Sequence, residues 1–422
     1  MEKMRGFQTL TSVDKALNIL REIVKDLKEK ELEEVSLLDS LGRVCGEDIL
    51  APIDVPNYSR SAVDGYAVIA EDTIGASPLN PIELRVVGTS RAGDLEGRLR
   101  IDRGEAVEVT TGAPLPLNAN AVVMIEDTKE VGKGVIEVYR PVHPSQNVSR
   151  KGEDFKLGEI VISKGTKIKP WHIGALASLN ISRIKVFSKP RVGVLSTGDE
   201  LIELGSELEP GKIVNSSKPM LISLIASLGG EPVDLGNVED DVRLIKSKIL
   251  SGLNLCDALI VTGGTSVGKS DLVPIVIREF GRVLVHGLAI RPGRPTGFGL
   301  VNGKLVFMLS GFPVAALVGF NLLVKPVIEA LLRTSTDPSP KIIGKLTRRT
   351  PSPSGTRSFV RVRVIKSRGE YLVEPLMLTG SGLISTLTKA NGIMVISEDL
   401  EGYDEGEEVE VELLGPIISE ND

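Results

Sequence analysis

DALIVTGGTSVGKSD, Asp257 to Asp271, carries an apolar run into two glycines and small hydroxyl residues and ends on a carboxylate. That is the order of residue types in a strand feeding an anion-binding loop. Gly263 and Gly264 lack a Cβ, so the backbone can turn sharply and bring its N–H groups against a phosphate; Thr262, Thr265 and Ser266 add hydroxyl donors. A nucleotide-like ligand is expected. Gly263 to Ser270 also fits the P-loop pattern G-x-x-x-x-G-K-[ST]. Pro274 argues against that reading, because a P-loop helix would begin near the second glycine and enclose a proline at a cost of roughly 3 kcal/mol. A helix starting after Asp271 as N-cap puts Pro274 in its first turn, where the missing N–H costs nothing. The following strands, RVLVHG and LVFMLSG, also lack the acid a P-loop enzyme uses for magnesium.

The stretch sits in an alternation of strands and helices that begins at Arg191. RVGVLSTGDEL, a helix over Lys218 to Leu228, PVDLGNV and a helix from Asp240 to Leu250 precede it, which predicts a doubly wound α/β domain with ligands at the carboxyl ends of its strands. Ser196, Thr197, Gly198 and Glu200 occupy one such end, and Ser310 with Gly311 in LSGFPVAA another. Downstream, AIRPGRPTGFG holds Arg291 and Arg294 beside prolines. Two guanidiniums held rigidly suit bidentate oxyanion binding, although a solvated basic turn has the same composition.

Toward the N-terminus, Val13, Ala16, Leu17, Leu20, Val24 and Leu27 recur at helical spacing from Ser12 to about Lys30. Residues 56–141 read as a small β domain inserted into an elongated scaffold made of 1–55 and 142–185. Asp64, in an Asp-Gly turn, Thr111, in TTGAPLP, and Asp154, in Gly152-Glu153-Asp154, are each a turn residue or a ligand by their surroundings alone. The α/β domain is expected over 186–334 and a C-terminal β-barrel over 335–422. Length agrees, since 422 residues suggest about three or four domains.

Composition narrows the partners. With 50 Lys and Arg against 56 Asp and Glu the net charge is −6 and the signs are mixed along the chain, so no nucleic acid is expected. Cys45 and Cys256 stand apart in apolar contexts, and three histidines show no metal spacing, which disfavours disulfides and structural zinc. No run reaches membrane length without charge, Gly or Pro, and a soluble cytoplasmic protein is expected.

Taken in order, SAVDGYA (Ser61 to Ala67), TTGAPLP, QNVSRKGED (Gln146 to Asp154), STGDEL (Ser196 to Leu201), GGTSVGKSD, RPGRP, GSGLISTL and ANGIMVI resemble the signatures of the molybdopterin molybdenumtransferase family, which includes one domain of gephyrin. The resemblance spans most of the chain. It implies a homodimer whose cleft is shared between the α/β domain of one subunit and the β domain of the other, with molybdopterin adenylyltransferase as a candidate partner. It further implies insertion of molybdenum from molybdate into adenylylated molybdopterin, with magnesium present and AMP released. The implied functional residues are Asp64, Thr111, Asp154, Glu200, Asp240 and Asp271, the last two near magnesium. Gly287, Phe312 and Ala315 replace residues that are commonly polar in the family, and tungstate is an alternative oxyanion. Dithiolene sulfurs belong to the substrate, so no cysteine cluster is needed. A molybdopterin adenylyltransferase would need only the middle of this chain, and a non-catalytic dimeric scaffold would not need acids and arginines gathered on loops.

Overall fold

The computed structural model describes residues 10–263, 272–335, 338–376 and 380–419. It divides into two compact units, Glu34–Val186 and the combination of Met1–Glu33 with Phe187–Asp422. Helix α1 (Val13–Lys25) is capped by Ser12, whose side chain accepts from the Lys15 N–H. α1 lies in the unit that holds Phe187–Asp422. It is anchored there by the Thr11 N–H on the Gly287 carbonyl at 2.9 Å and buries Val13, Ala16 and Leu20. It is also a turn shorter than its apolar spacing suggested.

In the Glu34–Val186 unit a six-stranded sheet comprises β1 (Gly65–Val68), β2 (Ile82–Ser90), β3 (Glu105–Val109), β4 (Ala121–Met124), β5 (Thr128–Gly132) and β6 (Val135–Val138), in the order β4-β1-β3-β2-β6-β5. Neighbouring residues Ala106 and Val107 enter opposite apolar clusters, as a period of two demands, so both faces are covered. The flanking segments pair with each other through Ile49–Leu50 and Ile160–Ile162, and share a core of Leu37, Cys45, Ile162, Ile168 and Ile184 with Leu176 of α2 (Pro170–Ser178).

The second unit continues with β7 (Arg191–Thr197), α3 (Ser217–Ser227), β8 (Glu231–Val238), α4 (Val242–Leu255), β9 (Ala258–Thr262), α5 (Leu272–Phe280), β10 (Gly281–His286), β11 (Gly297–Val301) and β12 (Lys304–Leu309). The sheet order is β8-β7-β9-β12-β11-β10. The first four strands are parallel, as expected, and their core is packed from Leu195, Ile245, Ile249, Leu259, Val261, Val276 and Met308. β11 was not foreseen. It joins β12 through a tight hairpin at Asn302 and Gly303, both at positive φ, and makes this edge antiparallel. α4 starts later than expected and runs further: Asp241, not Asp240, caps it by accepting from the Arg243 and Leu244 N–H groups, which leaves Asp240 outside the helix.

α6 (Pro313–Gly319) continues through a π-helical Phe320–Val324 into α7 (Lys325–Leu331), where Pro326 removes the N–H that would reach back one α-turn. By length and composition alone Pro313–Leu331 could cross a membrane, although Pro313, Gly319, Lys325, Pro326 and Glu329 interrupt its apolar run as the sequence reading noted. It is a core element here, with Val314, Ala316, Phe320, Leu323, Val327 and Ile328 buried. The C-terminal part closes a five-stranded barrel from β13 (Lys341–Leu346), β14 (Arg357–Ser367), β15 (Glu370–Pro375), β16 (Gly392–Ile396) and β17 (Glu408–Leu413), in the cyclic order β14-β15-β13-β17-β16.

Candidate functional site

Parallel β7, β9 and β12 are neighbours, so their carboxyl ends bring three loops to one rim. At that rim the Ser196 and Thr262 hydroxyls share a buried hydrogen bond of 2.8 Å. Gly263 comes next at φ +84°, and a Cβ there would lie 2.2 Å from the Thr197 carbonyl oxygen, so no other residue fits without moving the backbone. Gly311, after β12, lies against Gly263, and its carbonyl accepts from the Ser217 hydroxyl at 2.7 Å; the Ser310 hydroxyl accepts from the Phe312 N–H. α5 is described from Leu272 and includes Pro274; the length of the loop before it lies outside the described residues. Gly264, Thr265, Ser266 and Asp271 lie outside the described residues.

Next to these loops is an acidic corner. The Asp240 N–H donates to the Asp199 carboxylate at 3.0 Å, and Glu200 is the next residue along from Asp199. Burial pushes the Asp240 carboxyl above its ordinary range, and the Asp199 and Glu200 charges add to the rise, while the Thr197 hydroxyl works the other way. Among the described residues Asp240 Oδ1, Thr197 Oγ1 and Asn237 Nδ2 are buried without a hydrogen-bond partner of ordinary geometry. Asn237 owes its orientation to Asn215, whose Nδ2 donates to Asn237 Oδ1 at 2.9 Å and whose Oδ1 accepts from the Lys218 N–H. Buried donors and acceptors left open cost about 1–3 kcal/mol each, and polar atoms of this kind suit a polar ligand. Its oxygen donors suit a hard cation such as magnesium, although no group of three or more such side chains is close enough to hold a metal ion among the described residues.

The same unit holds a cleft of about 470 Å³ between the Ile290–Arg294 loop and the barrel. Arg291 and Arg294 line it, joined by Arg361 from β14, Ser358 and Ser381. Arg361 is only 4% exposed, with Nε on the Thr386 hydroxyl at 3.2 Å. Burial, and then the Arg291 charge, push its pKa down. Three arginines and two serines around an open volume are a chemistry that suits a small oxyanion. The sequence reading supplied the loop arginines and missed Arg361. Phe312 is exposed and sits under Gly382, so this loop presents an aromatic face.

In the other unit, Asp64 and Thr111 meet: Asp64 Oδ1 accepts from the Thr111 N–H at 2.7 Å and from its hydroxyl at 3.0 Å. These two bonds, the backbone one first, hold the Asp64 carboxyl below its ordinary value. Asp154 is exposed, with its N–H on the Val55 carbonyl, and no hydrogen bond among the described residues ties it to that pair. A group with a depressed folded-state pKa keeps its charge down to lower pH. Thr111→Val, which removes only the hydroxyl bond, is therefore expected to return the Asp64 pKa part of the way to the ordinary carboxylate range. An NMR titration of the Asp64 carboxyl carbon checks this, and an unchanged midpoint would show that the hydroxyl contributes nothing.

The sequence matches three family models: MoeA N-terminal region (domain I and II) over residues 11–180, probable molybdopterin binding domain over 193–330, and MoeA C-terminal region (domain IV) over 344–414. A protein of Methanocaldococcus jannaschii named for molybdopterin biosynthesis is 44% identical, across 98% of this chain and 100% of that protein. The molybdopterin molybdenumtransferase of Bacillus subtilis is 36% identical, across 96% of this chain and 95% of its own. The crystal structure of a molybdopterin biosynthesis MoeA protein from Pyrococcus horikoshii superposes with a TM-score of 0.82 at 38% identity, covering 97% of this chain and all of that one.

Proposed function

The chain belongs to the molybdopterin molybdenumtransferase family, and on that premise we propose that it inserts molybdenum from molybdate into adenylylated molybdopterin, with magnesium-dependent release of AMP. That it is a transferase of molybdenum cofactor biosynthesis follows from the family; the adenylylated substrate, magnesium and AMP are the finer reading. The observation that carries it is the cleft lined by Arg291, Arg294 and Arg361, which offers a tetrahedral oxyanion more guanidinium N–H donors than it has oxygens. The rim supports the nucleotide half. The Gly263 backbone and the hydroxyls of Ser196 and Thr197 suit a pyrophosphate at strand ends, and Gly264, Thr265 and Ser266 would add to them.

Asp240, with Asp271, would hold magnesium, and its open buried oxygen suits that role. The metal would supply positive charge to the phosphate oxygens. Glu200 would anchor the pterin or orient groups around the substrate. The protein's share of the work is to place oxyanion and dithiolene together and keep both oriented, since the sulfur ligands come with the substrate. In a homodimer, Asp64, Thr111 and Asp154 would complete the cleft of the partner.

Purified protein given adenylylated molybdopterin, molybdate and magnesium is expected to release AMP and retain molybdenum, whereas molybdopterin with ATP should give no adenylylated product. Adenylylation in the second mixture would move the protein to the preceding step, and binding without turnover in both would make it a scaffold. Glu200→Ala is expected to lower AMP release in the first mixture by roughly 100-fold or more, about 3 kcal/mol of transition-state stabilisation. Because Glu200 is exposed, its removal should change stability by only about 0.5 kcal/mol. An unchanged rate would remove Glu200 from the machinery.

A further inference from the structure

Lys218, in the first turn of α3, buries its ammonium: the side chain is 5% exposed, and Nζ lies 2.8 Å from both carboxylate oxygens of Glu203 and 3.1 Å from Asp234 Oδ1. The two acids belong to different chain segments. Glu203 lies three residues after Glu200, on a strap in which Leu201–Ile202 pairs with Ile213–Val214. The start of that strap is fixed by its return arm, since the Ile213 N–H donates to the Glu200 carbonyl at 2.8 Å and Lys212 Nζ to the Asp199 carbonyl at 2.7 Å. Asp234 lies on β8 just before an irregularity: Val194 pairs with Asp234, but Ser196 pairs with Asn237, so β8 carries one extra residue. Gly236, at φ +82°, takes up the bulge, and its N–H donates to the same Asp234 Oδ1 at 2.8 Å. A bulge re-aims the residues that come after it, here Asn237 and Asp240.

We propose that Lys218 is a positioning residue that sets the Glu200 strap and the Asp240 bulge in register with one another; this rests on the reading that Glu200 acts in the insertion reaction. One cation grips both segments close to where each enters the acidic corner. Bridging two half-exposed acids with a buried ammonium adds little stability, and a hydrophobic side chain could fill the same space. The bridge does fix geometry: it adds a charged cross-link between two backbone segments that otherwise meet through the Asp240 N–H on the Asp199 carboxylate and Asn215 on Asn237. Asn215, which donates to Asn237 and accepts from the Lys218 N–H, extends the same brace.

The test uses the full chain with Lys218→Met, Lys218→Arg, Glu200→Ala and the Lys218→Met/Glu200→Ala double variant. Amide exchange over residues 201–214 is expected to rise tenfold or more in Lys218→Met and to stay near wild type in Lys218→Arg, with the barrel strands unchanged in both. Single-turnover metal insertion should fall about tenfold in Lys218→Met while its Kd for adenylylated molybdopterin moves less than threefold. Lys218→Arg should recover most of the rate, and the double variant should be no slower than Glu200→Ala. Full insertion by Lys218→Met beside an inactive Glu200→Ala overturns the role of Lys218 alone. Full insertion by Glu200→Ala overturns the underlying reading and this inference with it. Unchanged exchange in Lys218→Met shows that no brace exists and overturns the proposal on structural grounds.

Discussion

Gly263→Ala is expected to abolish metal insertion and to lower the calorimetric transition of its unit by about 5–10 °C, a shift that corresponds to a loss of about 3 kcal/mol. Two independent penalties combine. An L-residue at φ +84° pays roughly 1–2 kcal/mol for the left-handed conformation. The new methyl would also stand 2.2 Å from the Thr197 carbonyl oxygen, and because that atom belongs to β7 at the centre of the sheet, relief means moving one central strand away from another. Overpacking of this kind costs about 1–3 kcal/mol. The functional loss is expected to exceed what the stability loss explains, since the displaced atoms are those that shape the rim. A folded, stable and active Gly263→Ala enzyme would show that the loop adopts another path.

The second large effect concerns the arginine cleft. Arg291→Met and Arg361→Met keep the aliphatic stems and remove the charge, so each isolates the guanidinium. Each is expected to weaken molybdate binding roughly 10–100-fold, in line with about 1.5–3 kcal/mol for a charge-assisted hydrogen bond. Isothermal titration with molybdate, repeated with tungstate, measures it. Arg361→Lys should recover only part of the affinity, because an ammonium offers a point charge and not a planar fork. Binding of AMP at the rim should survive all three changes. Undiminished oxyanion affinity in both Met variants would remove the cleft from the reaction.

Much of this was legible in the sequence, and the misses have identifiable physical causes. The strand ends at Ser196, Thr262 and Ser310 could be read because apolar runs terminate there on small and hydroxyl residues, a local signal. Arg361 could not. In SFVRVRVIK the alternation makes Arg361 and Arg363 equivalent, both on the face away from Val360, Val362 and Val364; only the distant Leu383–Thr386 segment, folded over β14, buries one of them. Lys218 entered the sequence reading only as the start of a helix, since its partners come from positions 203 and 234. The start of α4 turned on which of two adjacent acids caps it, and the pattern of residue types is the same for either. β11 did carry a readable signal, the Asn302-Gly303 pair, but its five residues include two glycines and adjoin the proline-rich RPGRP loop, so they blend into it. Asp64 and Thr111 both stood out in the sequence, but their mutual bond depends on the pairing of β1 with β3 and is a tertiary fact.

The two cysteines give the chain one last property. Cys45 and Cys256 are buried, 0% and 2% exposed, and burial raises both thiol pKa values, so neither presents a thiolate. Oxidants and alkylating agents act on exposed, low-pKa thiolates, and soft metals seek the same groups. Neither cysteine is therefore placed to compete for a sulfur-bound metal or to be the first group an oxidant meets.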